Sequence, residues 1–240
     1  FDFNIGFTPE DSTNIIFKNN NMTDLQRLAL GPFLHNVILQ NNTISTGDIV
    51  VGVSDSGGYS SNILFSGNQI NIEEFNVGPY TKNFTLQDNE IDVFRSFEIE
   101  SDALIQLNSI TGDAPNGLTI IGQNNEIKDN TIYDLPIGIT LQNSENNLLR
   151  GNNFSSNTYN LLIEGDEEAN YIHDIDTTNL VDGKPIYYIV NGTNQIYSSL
   201  NIGSSPNIGF FACILCDNVE VMNIDVEHLG DGVLFWGTDN

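Results

Sequence analysis

The side chains that could do chemistry in this sequence are mostly carboxylates. There are 32 Asp and Glu against 7 Lys and Arg, a formal net charge of −25 over 240 residues. Acid–base cleavage of a glycosidic bond needs two carboxyl groups whose surroundings push their pKa values apart. No Asp-Asp pair, His-Gly dipeptide or Arg-x-Lys step marks such a centre. A lyase would need an Arg or Lys base, and an acidic polymer would be repelled by this charge. Copper or zinc handling wants clustered His, Cys or Met, whereas His35, His173, His228, Met22 and Met222 are scattered. Cys213 and Cys216 have the spacing of half a zinc site. In an extended strand, residues three apart point to opposite faces, so the expectation is a small apolar residue and a separate thiol, not a bridge. The sequence therefore predicts no catalytic residue and no cofactor. Ca²⁺ is the one ion the acidic surface invites, with Asp176, Asp225 and Glu227 as the best-placed oxygens, too few alone for its six to eight ligands.

The elements that position these residues are strands. The chain holds 35 Asn, 29 Ile and 21 Gly, a composition that interrupts helices and favours extended segments. A nucleic-acid partner would need a basic footprint, and none exists. No apolar run approaches the roughly 20 residues of a membrane span. The chain opens at Phe1 with no initiator Met or leader, which reads as a processed or excised segment.

A six-residue frame recurs: an apolar residue, two others, Asn, one other, an apolar residue. It occurs at Phe17-Asn20-Met22, Leu39-Asn42-Ile44, Phe65-Asn68-Ile70, Leu86-Asn89-Ile91, Ile105-Asn108-Ile110, Ile127-Asn130-Ile132 and Leu149-Asn152-Phe154. Three further units replace the Asn: Ile172-Ile175-Thr177, Tyr197-Leu200-Ile202 and Val221-Ile224-Val226. The steps are 22, 26, 21, 19, 22, 22, 23, 25 and 24 residues. Each unit carries a second apolar stretch, such as Gly117–Ile120 or Gly138–Leu141. A period near 22 with two or three short strands per unit is that of one parallel β-helix coil. The expected fold is all-β: a right-handed, single-stranded parallel β-helix of about ten coils forming one domain over residues 1–240. It reads as a slice of a longer solenoid or a stacking protomer.

In this frame Asn20, Asn42, Asn68, Asn89, Asn108, Asn130 and Asn152 form an inward column, expected to turn the chain through the left-handed backbone region and to bond from coil to coil as an amide ladder. Ile175, Leu200 and Ile224 should end it. Leu25, Leu28 and Ala29 within 22–34 have helical spacing and suggest a short helical insertion. The seven cations are expected to share no column. Sequons at Asn21, Asn41, Asn83, Asn153 and Asn191 match the number that chance would give, and Asn21 and Asn191 are expected to be the most exposed.

The frame Asn124–Ile132 resembles the parallel β-helix repeats of the NosD-like, carbohydrate-binding and sugar-hydrolase class. The block Ile175–Asn191, with Gly183-Lys184-Pro185-Ile186-Tyr187-Tyr188, is similar to one found in NosD-like surface proteins of archaea. The resemblance implies a secreted or cell-surface β-helix and leaves activity open, because this fold serves enzymes, adhesins and coats. Combined with apolar terminal segments in strand phase, it favours a surface-layer, sheath or coat module. Such a module pairs with itself or other envelope subunits and can contact carbohydrate. The alternative is a polysaccharide lyase or glycoside hydrolase.

Overall fold

The computed structural model describes residues 2–5, 12–52, 58–198, 207–226 and 232–238. Among them the regular segments are strands, apart from one 3-10 turn at Glu168–Tyr171. The chain winds as a parallel β-solenoid of about nine turns. Eight strands, from Ser12–Lys18 to Asp174–Ile175, stack in one parallel sheet. A longer sheet runs alongside, beginning at Asp2–Ile5 and Asn21–Leu30.

The two apolar positions of the frame account for this stacking. Phe17, Leu39, Phe65, Leu86, Ile105, Ile127 and Leu149 are successive partners in the eight-stranded sheet. Met22, Ile44, Ile70, Ile91, Ile110, Ile132 and Phe154 do the same in the long sheet. From Leu39 to Leu149 the first column is fully buried, while Phe17 is half-buried. In the middle turns the core widens to hold Phe65, Phe75, Phe84 and Phe97, with Phe75 stacked on Phe97 at 5.0 Å.

No helix interrupts residues 22–34. Residues 21–30 form a ten-residue strand paired on both sides. A register shift between Met22 and Leu25, with Asp24 at φ 59°, puts one extra residue into the strand. That bulge changes the alternation phase, which is why apolar residues fall at helical spacing in a strand. A second shift lies between Ile72 and Glu74. After Glu90–Ile99 the long strands split in two. Ser109–Gly112 pairs with the first half of that strand and Leu118–Ile120 with the second. Pro115 and Gly117 separate them, and Pro cannot donate to a ladder.

The corner between the sheets holds the ladder. In each turn the backbone N–H and Nδ2 of one Asn donate to Oδ1 of the Asn one turn on, at 2.8–3.2 Å, from Asn20 through Asn152. From Asn42 on, Nδ2 also donates to the carbonyl of the first apolar residue of the preceding turn, as Asn130 does to Ile105. The sharp turn is made by the residue before, not by the ladder Asn. Asn19, Asn41, Gly67, Asp88, Leu107, Asp129 and Gly151 have φ of 53–66°. The Asn is required for its amide.

The ladder also runs one step further than expected, to Asn179. Ile175, not Ile172, pairs with Leu149, and Val181 pairs with Phe154. One extra residue between Ile175 and Asn179 hides this continuation in the sequence. Leu180–Val181 then pairs antiparallel with Lys184–Pro185, and the long sheet continues through strands in which 187–190 and 211–214 pair at a 24-residue step. Leu200 and Ile202 lie outside the described residues.

Candidate functional site

A groove of about 590 Å³ lies on the long sheet beside the two register shifts and the strand split. Asp24, Ser45, Asn71, Glu73, Phe94 and Arg95 line it. Gly47 belongs there for steric reasons, because a Cβ would sit 2.6 Å from the Gln26 carbonyl oxygen. Arg95 pairs with Glu73 at 2.9 Å and with Glu74 at 3.0 Å, across adjacent turns. A second depression of about 360 Å³ continues the groove past Gln69, Glu90, Asp92 and Thr111, sharing Ser45 and Asn71 with the first. The Asp92 carboxyl is raised above the ordinary carboxylate range, first by burial and then by the charge of Asp113. Asn71 Nδ2 donates to Asp92 Oδ2 at 3.4 Å. The groove thus offers acids, amides, hydroxyls, the Arg95 guanidinium and the exposed Phe94 ring.

Elsewhere the reactive groups are engaged in structure. Cys213 and Cys216 form a disulfide with Cα atoms 5.7 Å apart, contrary to the strand-based expectation. The strand ends at Ile214, and Leu215 has φ 54°. Cys213-Ile214-Leu215-Cys216 therefore repeats the apolar-x-x-Asn corner, with a left-handed residue before the last position. Cys216 occupies the ladder position, and its Sγ lies 3.9 Å from the Ile189 carbonyl, where an Asn would donate. Both sulfurs sit in a second core with Phe211 and Ile208.

A second inner ladder lies at another corner, formed by Asn125, Asn147 and His173. Asn147 N–H donates to His173 Nδ1 at 3.4 Å, and His173 Nε2 meets the Asn170 carbonyl at 2.9 Å. Burial lowers the His173 pKa to about 4, against a smaller upward pull from the Asn170 bond. The ring is neutral at pH 7 and fills a ladder step. The Asn-Asn doublets at 124–125 and 146–147, 22 residues apart, are the sequence signal for this column.

Of the expected Ca²⁺ oxygens, only those of Asp176 belong to a described side chain. Asp176 pairs with Arg150 at 3.0 Å and caps Thr178 N–H. Of Asp225 only the backbone is described, and Glu227 lies outside the described residues. Arg150 also pairs with Asp174 at 2.6 Å. Three cations do share a column: Lys18 stands at its start, and Lys128 and Arg150 are strand partners further along it. All three follow the first apolar residue of their frame, a position that faces outward. Of the sequons, Asn21, Asn41, Asn83 and Asn191 are exposed and Asn153 is half-buried.

Stacked parallel turns, inner amide ladders and an outer groove define the parallel β-solenoid class. Within it, residues 59–192 match the family model described as "Periplasmic copper-binding protein (NosD)", which covers more than half of the chain. The chain belongs to the NosD family. No curated protein and no solved structure matches it. The described residues do not fit a copper centre. No group of three or more His, Cys, Asp or Glu converges among them. His173 has both ring nitrogens engaged, His35 Nδ1 is bonded to Ser61 Oγ at 2.7 Å, and both cysteines are bridged. His228 lies outside the described residues. No helix among the described residues is long and apolar enough to cross a membrane.

Proposed function

We propose that this chain is a structural module of the extracytoplasmic space. It serves as a surface-layer, sheath or coat unit that assembles through the faces or ends of its solenoid and contacts carbohydrate along the bulge groove. The observation that carries this reading is where the polar chemistry is spent. The ladder amides and the buried His173 tie one turn to the next, and the Cys213–Cys216 bridge fastens a single corner. The family description and a disulfide, which persists in oxidising compartments, support a location outside the cytoplasm. The acidic surface favours divalent cations that screen self-repulsion, and the exposed sequons are sites for glycans.

One observation favours glycoside hydrolysis as a second reading. Asp92 is a carboxyl of raised pKa facing a second acid, Asp113, beside an open groove. Incubation with neutral and acidic polysaccharides, following reducing ends and unsaturated-sugar absorbance, separates the two. The structural reading expects no turnover. Cleavage that disappears in Asp92→Asn would establish the hydrolase instead.

A further inference from the structure

The acidity of this chain is unevenly placed. Ser12–Lys18, Leu34–Gln40, Ser60–Ser66, Thr81–Gln87 and Ala103–Gln106 contain no Asp or Glu and two Lys, in a chain where 32 of 240 residues are acidic. On the long sheet, Asn21–Leu30, Thr43–Val51, Gln69–Val77 and Glu90–Ile99 carry Asp24, Asp48, Glu73, Glu74, Glu90, Asp92 and Glu98 against Arg27 and Arg95.

The outer surface of the acid-free strands is built in columns. Strand alternation sends Ile16, Ile38, Leu64, Thr85 and Leu104 outward, and they are successive partners in the sheet. Ile16 is 63% exposed, and the others are half-buried, lining a shallow depression of about 440 Å³. On one flank runs an exposed amide ladder: Asn83 donates to Asn62, Asn62 to Asn36 and Asn36 to Asn14, at 2.9–3.1 Å. On the other flank Gln106 donates to Gln87 at 3.2 Å. An apolar stripe between a row of amides and a mixed row of Lys18, Gln40, Ser66, Gln87 and Gln106 matches a surface of the same kind.

We infer that this face is where two copies of the chain pair, back to back about a two-fold axis. The inference goes beyond the proposed function, which would survive its failure through assembly by other faces or ends. Charge selects the occupant. Laying the aliphatic stripe on the acidic face of another copy would desolvate carboxylates against hydrocarbon, which is costly. Pairing it with itself buries apolar surface on both sides and leaves acids only at the edge of the contact, where Asp102 and Glu126 adjoin Leu104. Five strands about 4.8 Å apart and about 20 Å long give roughly 400 Å² per copy. That lies in the range of weak, reversible interfaces, so the dimer forms at high concentration and once salt screens the net charge.

Sedimentation equilibrium of the whole chain across protein and NaCl concentration tests this, comparing wild type with Leu64→Asp and with Glu74→Gln on the opposite face. Circular dichroism confirms that each variant is folded. The expected result is a salt-promoted monomer–dimer equilibrium whose dissociation constant rises at least about tenfold in Leu64→Asp, or 1.4 kcal/mol, and does not rise in Glu74→Gln. Leu64→Cys, the only free thiol among the described residues, should cross-link with a short bis-maleimide, and Asn71→Cys in the acidic groove should not. A monomer at every concentration and salt would overturn the inference. So would a dimer indifferent to Leu64→Asp, or one cross-linked through Asn71→Cys. Binding of a neutral glycan or another protein to this face of a chain that stays monomeric would overturn it too.

Discussion

At the corner between the two main sheets, each residue type answers a separate physical demand. The left-handed position accepts Asn, Asp, Gly or even Leu107, while the next position needs a side chain that accepts two hydrogen bonds and donates two. Asn108→Ala leaves the Asn89 N–H and the Leu86 carbonyl without their buried partners. At about 1–3 kcal/mol per orphaned group, we expect about 3 kcal/mol of lost stability by urea unfolding. A loss under about 1 kcal/mol would mean that the ladder is decorative. His173 makes a pH prediction with a definite sign. Its folded pKa of about 4 lies below the ordinary His value, so the unfolded chain takes up a proton first as pH falls. The stability tied to the neutral ring is intact above about pH 6.5 and is lost progressively down to about pH 4, at up to about 1.4 kcal/mol per pH unit. His173→Asn should flatten that part of the curve, and superimposable wild-type and variant slopes would refute the assignment. The ladder itself was legible from seven repeated Asn. The role of His173 was not, because a single His in an Asn column gives no repeat to count.

At the scale of elements, stacking is legible because the side-chain period of a strand is two and the coil period is near 22. Ile127, fully buried between Ile105 and Leu149, carries that reading. Ile127→Ala should cost about 2–5 kcal/mol, read as a shift of the denaturation midpoint. Insertions are what the sequence concealed. One extra residue at Asp24 mimicked a helix, and one before Asn179 hid the last ladder step. The disulfide was hidden for the same reason. Strand geometry sends residues three apart to opposite faces, and the left-handed Leu215 cancels that rule. Cys216→Ser should cost about 2 kcal/mol from its short loop. Hydrogen exchange should localise the loosening to 184–198 and 207–226 and leave the turns before Asn179 protected. Uniform loosening would contradict a local role.

For the whole molecule, the structural reading proposed above rests on charge and shape more than on any single site. On the proposed structural reading, a net charge of −25 would keep solenoids apart at low ionic strength, and screening would let apolar or edge surfaces meet. The bulge groove was invisible in sequence because its residues come from five turns and only the stacking of those turns unites them. The family membership fits this picture of stacked turns, while the described residues supply no metal cluster. The most direct test of the structural reading is negative-stain microscopy with light scattering on the native, full-length protein across an NaCl and Ca²⁺ series. The account predicts ordered polymers or sheets that grow with salt or Ca²⁺ and disperse when these are removed. Single dispersed rods in every condition, together with release of sugars from a polysaccharide, would contradict it.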